Sequence, residues 1–279
     1  MGIKIVTDST ADLSPELAQE LEITVVPLYL RFGEKVYRDG VDIGADEFYE
    51  KLEQSPVHPS TSQPTPGDFA AVYSQLAQEA DGVLSVHISS KMSGTCSSAL
   101  QGWEMARTKC PVEVVDSLSV SMGVGLLAMA AARLALMGAG LQAVLDEVRQ
   151  MVPTIRMIAM FDSLKYLVLG GRLSKGKALL GTLLKVRPVL TVRDGELVQT
   201  GLARTHGRGV EKLLEFARKG RDIQEMAIVH STSPDEAGSL KAHLSAFIAE
   251  EKIHLARLGS ALGVHGGPGT LILALRERR

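Results

Sequence analysis

Two short stretches of this chain gather hydroxyls where they could grip an anion. One is Ser89-Ser90-Lys91-Met92-Ser93-Gly94-Thr95-Cys96-Ser97-Ser98-Ala99. The other is Ser60-Thr61-Ser62-Gln63, bracketed by Pro56, Pro59, Pro64 and Pro66. Hydroxyls and helix-terminal amides can hold an anion, because a helix N-terminus carries unpaired N–H groups and about half a positive charge. Gly94 lets the backbone come close, and the four prolines make the second loop rigid, so its hydroxyls would be held still. Each stretch also has a plainer reading. The first is then an N-cap with serine-rich padding, and the second a loop whose polar groups satisfy its own backbone.

Strands and helices must aim these groups. Residues 82–88 (GVLSVHI) form a β-branched run that reads as a buried strand, and a helical run follows from 97 to about 108. Ser93 and Thr95 therefore fall where a strand hands over to a helix. Residues 3–6 predict another strand, ending in Thr7-Asp8-Ser9, and a helix from Pro15 with Ser14 as its N-cap. A strand is expected over 23–30, with Pro27 marking an edge or a bulge, then a hairpin or irregular excursion over 31–42 and a helix over 45–54. Helices are expected over 68–80, 120–137 and 141–151, with a strand over 112–115 that ends in Asp116-Ser117. This alternation predicts a mostly parallel open sheet, whose ligands lie beyond the carboxyl ends of the strands.

The pattern changes near Val152-Pro153, dividing the chain into an α/β domain over 1–152 and a second over 153–279. The second half predicts a strand over 156–161, a short helix over 164–169 interrupted by Gly170-Gly171-Arg172, and a helix over 175–184. Strands 186–192 and 197–204 should pair through Asp194-Gly195, a strong hairpin signal. Helices over 209–219 and 234–250 alternate with strands over 226–229 and 254–258, and a turn over 263–269 precedes a closing strand over 270–275. The second half thus reads as a mixed sheet with helices on one face, and the fold class is α/β.

Composition removes several function classes. With 279 residues, 45% hydrophobic and 22% charged, the chain can bury a sizeable core and shows no sign of disorder. A formal net charge of −2 with interspersed signs argues against a broad surface for nucleic acid or anionic membrane, and 4% aromatic residues offer few stacking platforms. Cys96 and Cys110 fit unpaired thiols in a reducing cytoplasm and make no metal motif. No signal peptide is expected at the N-terminus. The apolar run over 120–132 breaks at Arg133, too short for the roughly 20 residues of a membrane span, and predicts a closely packed core helix.

Five motifs then stand in one order. Thr7-Asp8-Ser9, Thr61-Ser62-Gln63-Pro64, Ser93-Gly94-Thr95, Gly170-Gly171-Arg172, and His265 with Gly267-Pro268-Gly269 resemble those of the DegV family along the whole chain. The resemblance implies the two-domain DegV fold, with a long-chain fatty acid held between the domains and no other cofactor. It implies a carrier, not an enzyme, one that serves the ATP-binding subunit of a bacterial fatty acid kinase in phospholipid metabolism. It further implies that Thr61, Ser62 and Ser93 bind the carboxylate, that Gly94 and Thr95 allow backbone approach, and that Arg172 and His265 guard the site. In their plainer readings Arg172 pins the Gly-Gly loop and His265 caps a turn. Arg204, beside Arg208, falls where the family meets its kinase; the alternative is a solvated charge. By analogy, residues 157–184 and 258–275 would supply an apolar slot for the acyl chain.

A rival reading makes Ser93 and His265, with Asp116 or Asp8, a hydrolase triad. Ser93 lacks a G-x-S-x-G elbow, and its neighbours are better placed as amide donors than as activators of a nucleophile. No nucleotide motif of the G-x-x-x-x-G-K-[ST] or G-x-G-x-x-G type occurs where it would need to, so a phosphorylated ligand would need a separate partner to bring the nucleotide.

Overall fold

The computed structural model describes residues 2–173 and 186–278. A parallel sheet in the order β2-β1-β6-β7 is built from β1 (Gly2–Asp8), β2 (Ile23–Val26), β6 (Ala80–His87) and β7 (Val112–Asp116). β6 is buried along nearly its whole length, as a central parallel strand covered on both faces must be. Helices α1 (Pro15–Glu20), α3 (Pro66–Leu76), α4 (Thr95–Ala106) and α6 (Leu141–Met151) flank this sheet. Their starts are written locally. The Ser14 hydroxyl accepts from Leu17 N at 3.2 Å ahead of Pro15, and Thr65 with Asp68 forms a reciprocal capping box around Pro66.

The strand expected over 23–30 breaks in two at Pro27. Val26 is the last residue paired with β1, and the chain then leaves for a small antiparallel sheet of β3 (Tyr29–Phe32), β4 (Lys35–Arg38) and β5 (Ser60–Ser62), in the order β4-β3-β5. Proline cannot donate to a ladder, so a change of sheet there is economical. The proline-rich segment is accordingly more than a loop: residues 60–62 are a strand, in register with Arg31, Leu30 and Tyr29. Helix α2 (Ala45–Gln54) covers this small sheet through Phe48, Tyr49 and Leu52.

The second half holds a six-stranded mixed sheet of β8 (Ile155–Met160), β9 (Arg187–Arg193), β10 (Glu196–Ala203), β11 (Ile223–His230), β12 (Ile253–Arg257) and β13 (Leu271–Glu277), ordered β10-β9-β8-β13-β11-β12. Only β11 and β12 run parallel; the other neighbours are antiparallel. The β9–β10 turn has Asp194 and Gly195 at φ 50° and 81°, the left-handed pair that a tight hairpin needs. Helices α8 (His206–Arg218) and α9 (Pro234–Leu244) cover one face, where Ile158, Met160, Leu271 and Leu273 point. The opposite face is also covered. Met157, Ala159, Ile272 and Ala274 alternate onto it and join the core around α5 (Met122–Leu136).

That helix explains the long apolar run. Residues 122–132 are all buried because α5 is packed against β1 and β6 of the first sheet and against β11 and β13 of the second. A Cβ on Gly125 would come within 2.7 Å of the Ala11 carbonyl, so the close approach of helix and loop depends on glycine. No helix among the described residues is long and apolar enough to cross a membrane. Two other expectations change. The turn over 263–269 is in fact the end of a helix, α10 (Ser260–Gly266), which packs against α7 (Lys165–Leu169) and stops at Gly267 with φ 72°. The helix expected to reach 250 stops at Leu244. The helix expected over 175–184 lies outside the described residues.

Candidate functional site

After β6 the chain turns tightly, with Met92 N and Ser93 N both donating to the Ser89 carbonyl at 2.9 and 3.1 Å. The Ser89 hydroxyl is spent on the Gly195 carbonyl at 2.7 Å. Helix α4 starts at Thr95, two residues before the expected position, with Gly94 as its N-cap and no side-chain cap. The plain reading of this stretch as a serine N-cap therefore fails. Ser93 and Thr95 instead share a hydrogen bond of 2.8 Å, Thr95 buried and Ser93 half-buried. Gln63 lies against Gly94, where an added Cβ would sit 2.9 Å from its amide nitrogen, so the two hydroxyl-bearing stretches meet.

On β5 the side chains alternate. Thr61 is half-buried and reaches His265, with Oγ1 to Nε2 at 2.9 Å, whereas Ser60 and Ser62 are exposed on the other face. Ser62 therefore does not share a cavity with Thr61, because a strand cannot send adjacent side chains to one side. His265 lies in the last turn of α10, half-buried, its Nδ1 sealed from solvent and without a partner among the described residues. Burial, with the Arg172 guanidinium and His58 nearby, pushes its pKa down to about 3, so the ring is neutral. An orphan acceptor is tolerated better than an orphan N–H, which assigns the proton to Nε2 and makes it the donor to Thr61. The Thr61 hydroxyl is then left free to donate onward. Gly170 makes room for the ring, since a Cβ there would lie 2.0 Å from Nδ1.

Arg172 is exposed and does pin the Gly-Gly loop, through Nη1 to the Gly170 carbonyl at 2.8 Å. Its Nε also reaches the Met92 carbonyl at 3.4 Å, tying that loop to the one that carries Ser93. Thr61, Ser93, Arg172 and His265 line one cavity of about 50 Å³, together with Thr10, Leu28, Ile88, Met92, Val120, Leu167, Leu197, Ala261 and Leu262. Gly94 and Thr95 stand just behind Ser93 and do not line it. Arg204 is not part of the cavity; it is exposed between β10 and α8, and its neighbour Arg208 pairs with Glu211 at 2.7 Å.

Sequence reasoning missed Thr10, Leu28, Ile88, Met92, Val120 and Leu197 as wall residues. A usable signal existed for Thr10 and Ile88, which lie within two residues of the ends of strands that point to the expected ligand zone. The hydrolase arrangement is not assembled. Asp8 is bonded to His87, Asp116 accepts from Ser90 N and Leu118 N, and His265 faces Thr61.

Comparison with known proteins agrees with this architecture. Residues 2–278 match a family model described as an uncharacterised protein, DegV family. A DegV domain-containing protein of Caldanaerobacter subterraneus is 35% identical over 279 residues, covering 99% of both chains. A structure described as fatty acid binding of a DegV family protein from Thermus thermophilus is 35% identical with a TM-score of 0.90 over 100% of both chains. DegV of Bacillus subtilis, described as a fatty acid binding protein, is 32% identical with a TM-score of 0.89, again over 100% of both chains.

Proposed function

Because this chain belongs to the DegV family, we propose that it binds a long-chain fatty acid and presents its carboxylate to a separate ATP-dependent kinase for acyl-phosphate formation. The observation that carries this reading is the Thr61–His265 pair beside Ser93 at the polar end of an otherwise apolar cavity. An ionised carboxylate leaving water needs several donors, since an unpaired buried charge is costly. Thr61 and Ser93 offer hydroxyls, the start of α4 at Gly94 and Thr95 adds its positive dipole end from behind Ser93, and Arg172 offers positive charge at the rim. Neutral His265 orients the Thr61 hydroxyl and does not serve as a base.

The acyl chain would run along Ile88, Met92, Val120, Leu167, Leu197 and Leu262. Each buried CH₂ contributes about 0.8 kcal/mol, so apolar area supplies most of the affinity and the hydroxyls set orientation. The 50 Å³ of open space is of the order of one or two waters, so an acyl chain must displace wall side chains, of which Met92 is the most adaptable. The polar end draws Thr61 and Ser93 from residues 1–152 and Arg172 and His265 from residues 153–279, which supports a ligand lying between the two halves. Arg204, exposed and with no nucleotide motif elsewhere in the chain, is the residue assigned to the kinase contact.

Native mass spectrometry followed by organic extraction tests this. The wild-type protein should carry or take up one fatty acid, and Thr61→Ala/Ser93→Ala should lose it or bind at least tenfold more weakly. Arg204→Ala should keep the fatty acid and slow its phosphorylation by an added kinase. A protein that is empty and takes up no added fatty acid overturns the reading.

A further inference from the structure

Helix α10 carries His265 at its C-terminal end and has Gly259 as its N-cap residue, which has no side chain with which to cap it. Its first amides are taken instead by two carboxyls from the other half of the chain. Gly259 N donates to Asp12 Oδ1 at 2.8 Å, across 247 residues, and Ser260 N donates to Asp39 Oδ1 at 3.1 Å, across 221. Both aspartates are buried, at 6% and 5% exposure. They close around Gly259, where an added Cβ would lie 3.1 Å from Asp12 Oδ1 and 3.6 Å from Asp39 Oδ2.

Each carboxyl is anchored to a different part of the site. Asp39 directly follows β4, in the same small sheet that carries Thr61 on β5, and its own N–H is held by the Leu28 carbonyl at 2.8 Å. Asp12 accepts from the Ser121 hydroxyl at 2.5 Å, at the start of the helix shared by both sheets. Ser121 has φ 55° and ψ −144°, a conformation costly for a residue with a Cβ, and its hydroxyl is committed to Asp12. The small sheet thus holds both ends of α10, through Asp39 at the first turn and Thr61 at the last. Six residues at 1.5 Å rise put His265 about 9 Å from Gly259, short enough for a tilt at one end to misplace the other.

We propose that Asp12 and Asp39 are positioning residues for the ligand site: they cap α10 from across the chain and thereby fix His265 against Thr61. Asparagine at either position keeps an oxygen acceptor for the helix amide, whereas alanine removes it. The cap is therefore lost in Asp12→Ala and Asp39→Ala and kept in the corresponding asparagine variants.

The test uses the full chain with ¹⁵N-labelled histidine, without added lipid, and reads the tautomer and shifts of His265 by long-range ¹H–¹⁵N correlation. Both alanine variants should shift or split the His265 signals, and both asparagine variants should restore them. Fatty-acid affinity, which rests on the function proposed above, should fall about tenfold in the alanine variants and recover in the asparagine ones. If an alanine variant does not fold, Ser121→Ala, which frees only the Asp12 side of the cap, should still perturb His265. Unchanged His265 signals in every folded variant overturn the proposal. A wild-type protein that binds no fatty acid overturns the proposed function alone, and the histidine signals still decide the role of the two aspartates.

Discussion

Two histidines face the interior from neighbouring parts of the molecule, and they are treated oppositely. His87, fully buried at the end of β6, has both ring nitrogens engaged, Nδ1 with Asp8 at 2.8 Å and Nε2 with Ser85 at 2.7 Å. Ser85 continues to the Tyr73 hydroxyl at 2.8 Å, and Asp8 also accepts from Thr10 N, the Thr10 hydroxyl and Ile88 N. Every member is paired, so the network spends its polarity on holding structure. His265 has one nitrogen on Thr61 and the other on no partner among the described residues, and it sits at a cavity. A half-paired neutral ring at a cavity leaves hydrogen-bonding capacity unspent, where the His87 network leaves none. The closed network still serves the site, because Thr10 and Ile88, which Asp8 holds, are two of its walls.

The contrast is broken most directly at Asp8. Asp8→Ala leaves four donors without their acceptor in the core, and unfolding in urea should show a loss of about 3–5 kcal/mol. Thr61→Ala, by comparison, should hurt binding far more than stability. If Asp8→Ala unfolds at the wild-type midpoint, the network around His87 is not the structural half of the pair.

A smaller effect sharpens the comparison through pH. His265 titrates near 3 in the folded chain and near the ordinary histidine value of about 6.5 when unfolded, because burial, Arg172 and His58 all oppose its charge. Between those values the unfolded chain binds the extra proton, so this residue's stability is present above about pH 6.5 and is lost as pH falls toward 3. His265→Gln keeps a neutral donor toward Thr61 and removes the titration. The difference in stability between pH 7 and pH 4 should therefore be smaller in the variant, with His58 common to both. An equal pH dependence in the two proteins would mean that His265 is solvated and free to charge.

Much of this was legible in the residues themselves. The hydroxyl stretch at Ser93 was placed at a strand-to-helix junction by its local sequence alone, and α1 and the Asp194-Gly195 hairpin announced themselves by caps and turn residues. Local pattern failed where a residue's role depends on a distant partner. Nothing near Asp39 or Asp12 says that a glycine more than 200 positions away will lack a cap. His265 looked like part of a turn because Gly263, Gly266, Gly267 and Gly269 crowd it, yet Gly263 is helical and pressed onto Phe48, where a Cβ would come within 2.5 Å. β5 was hidden by the prolines around it, since a three-residue strand is recognised by its partner and not by its own periodicity.

That short strand supplies the finest test of the site. The family resemblance implies a carboxylate role for both Thr61 and Ser62, but they are adjacent on β5, and only Thr61 turns toward His265. Ser62→Ala removes an exposed hydroxyl whose side chain lies on the opposite face, so stability should change by less than about 0.5 kcal/mol. Fatty-acid affinity, measured by displacement of a fluorescent analogue, should stay within about twofold of wild type, against at least tenfold for Thr61→Ala. A loss at Ser62 as large as that at Thr61 would require the ligand to engage both faces of β5. The carboxylate would then sit over the strand edge, and His265 would orient a hydroxyl that is only one of two equal contacts.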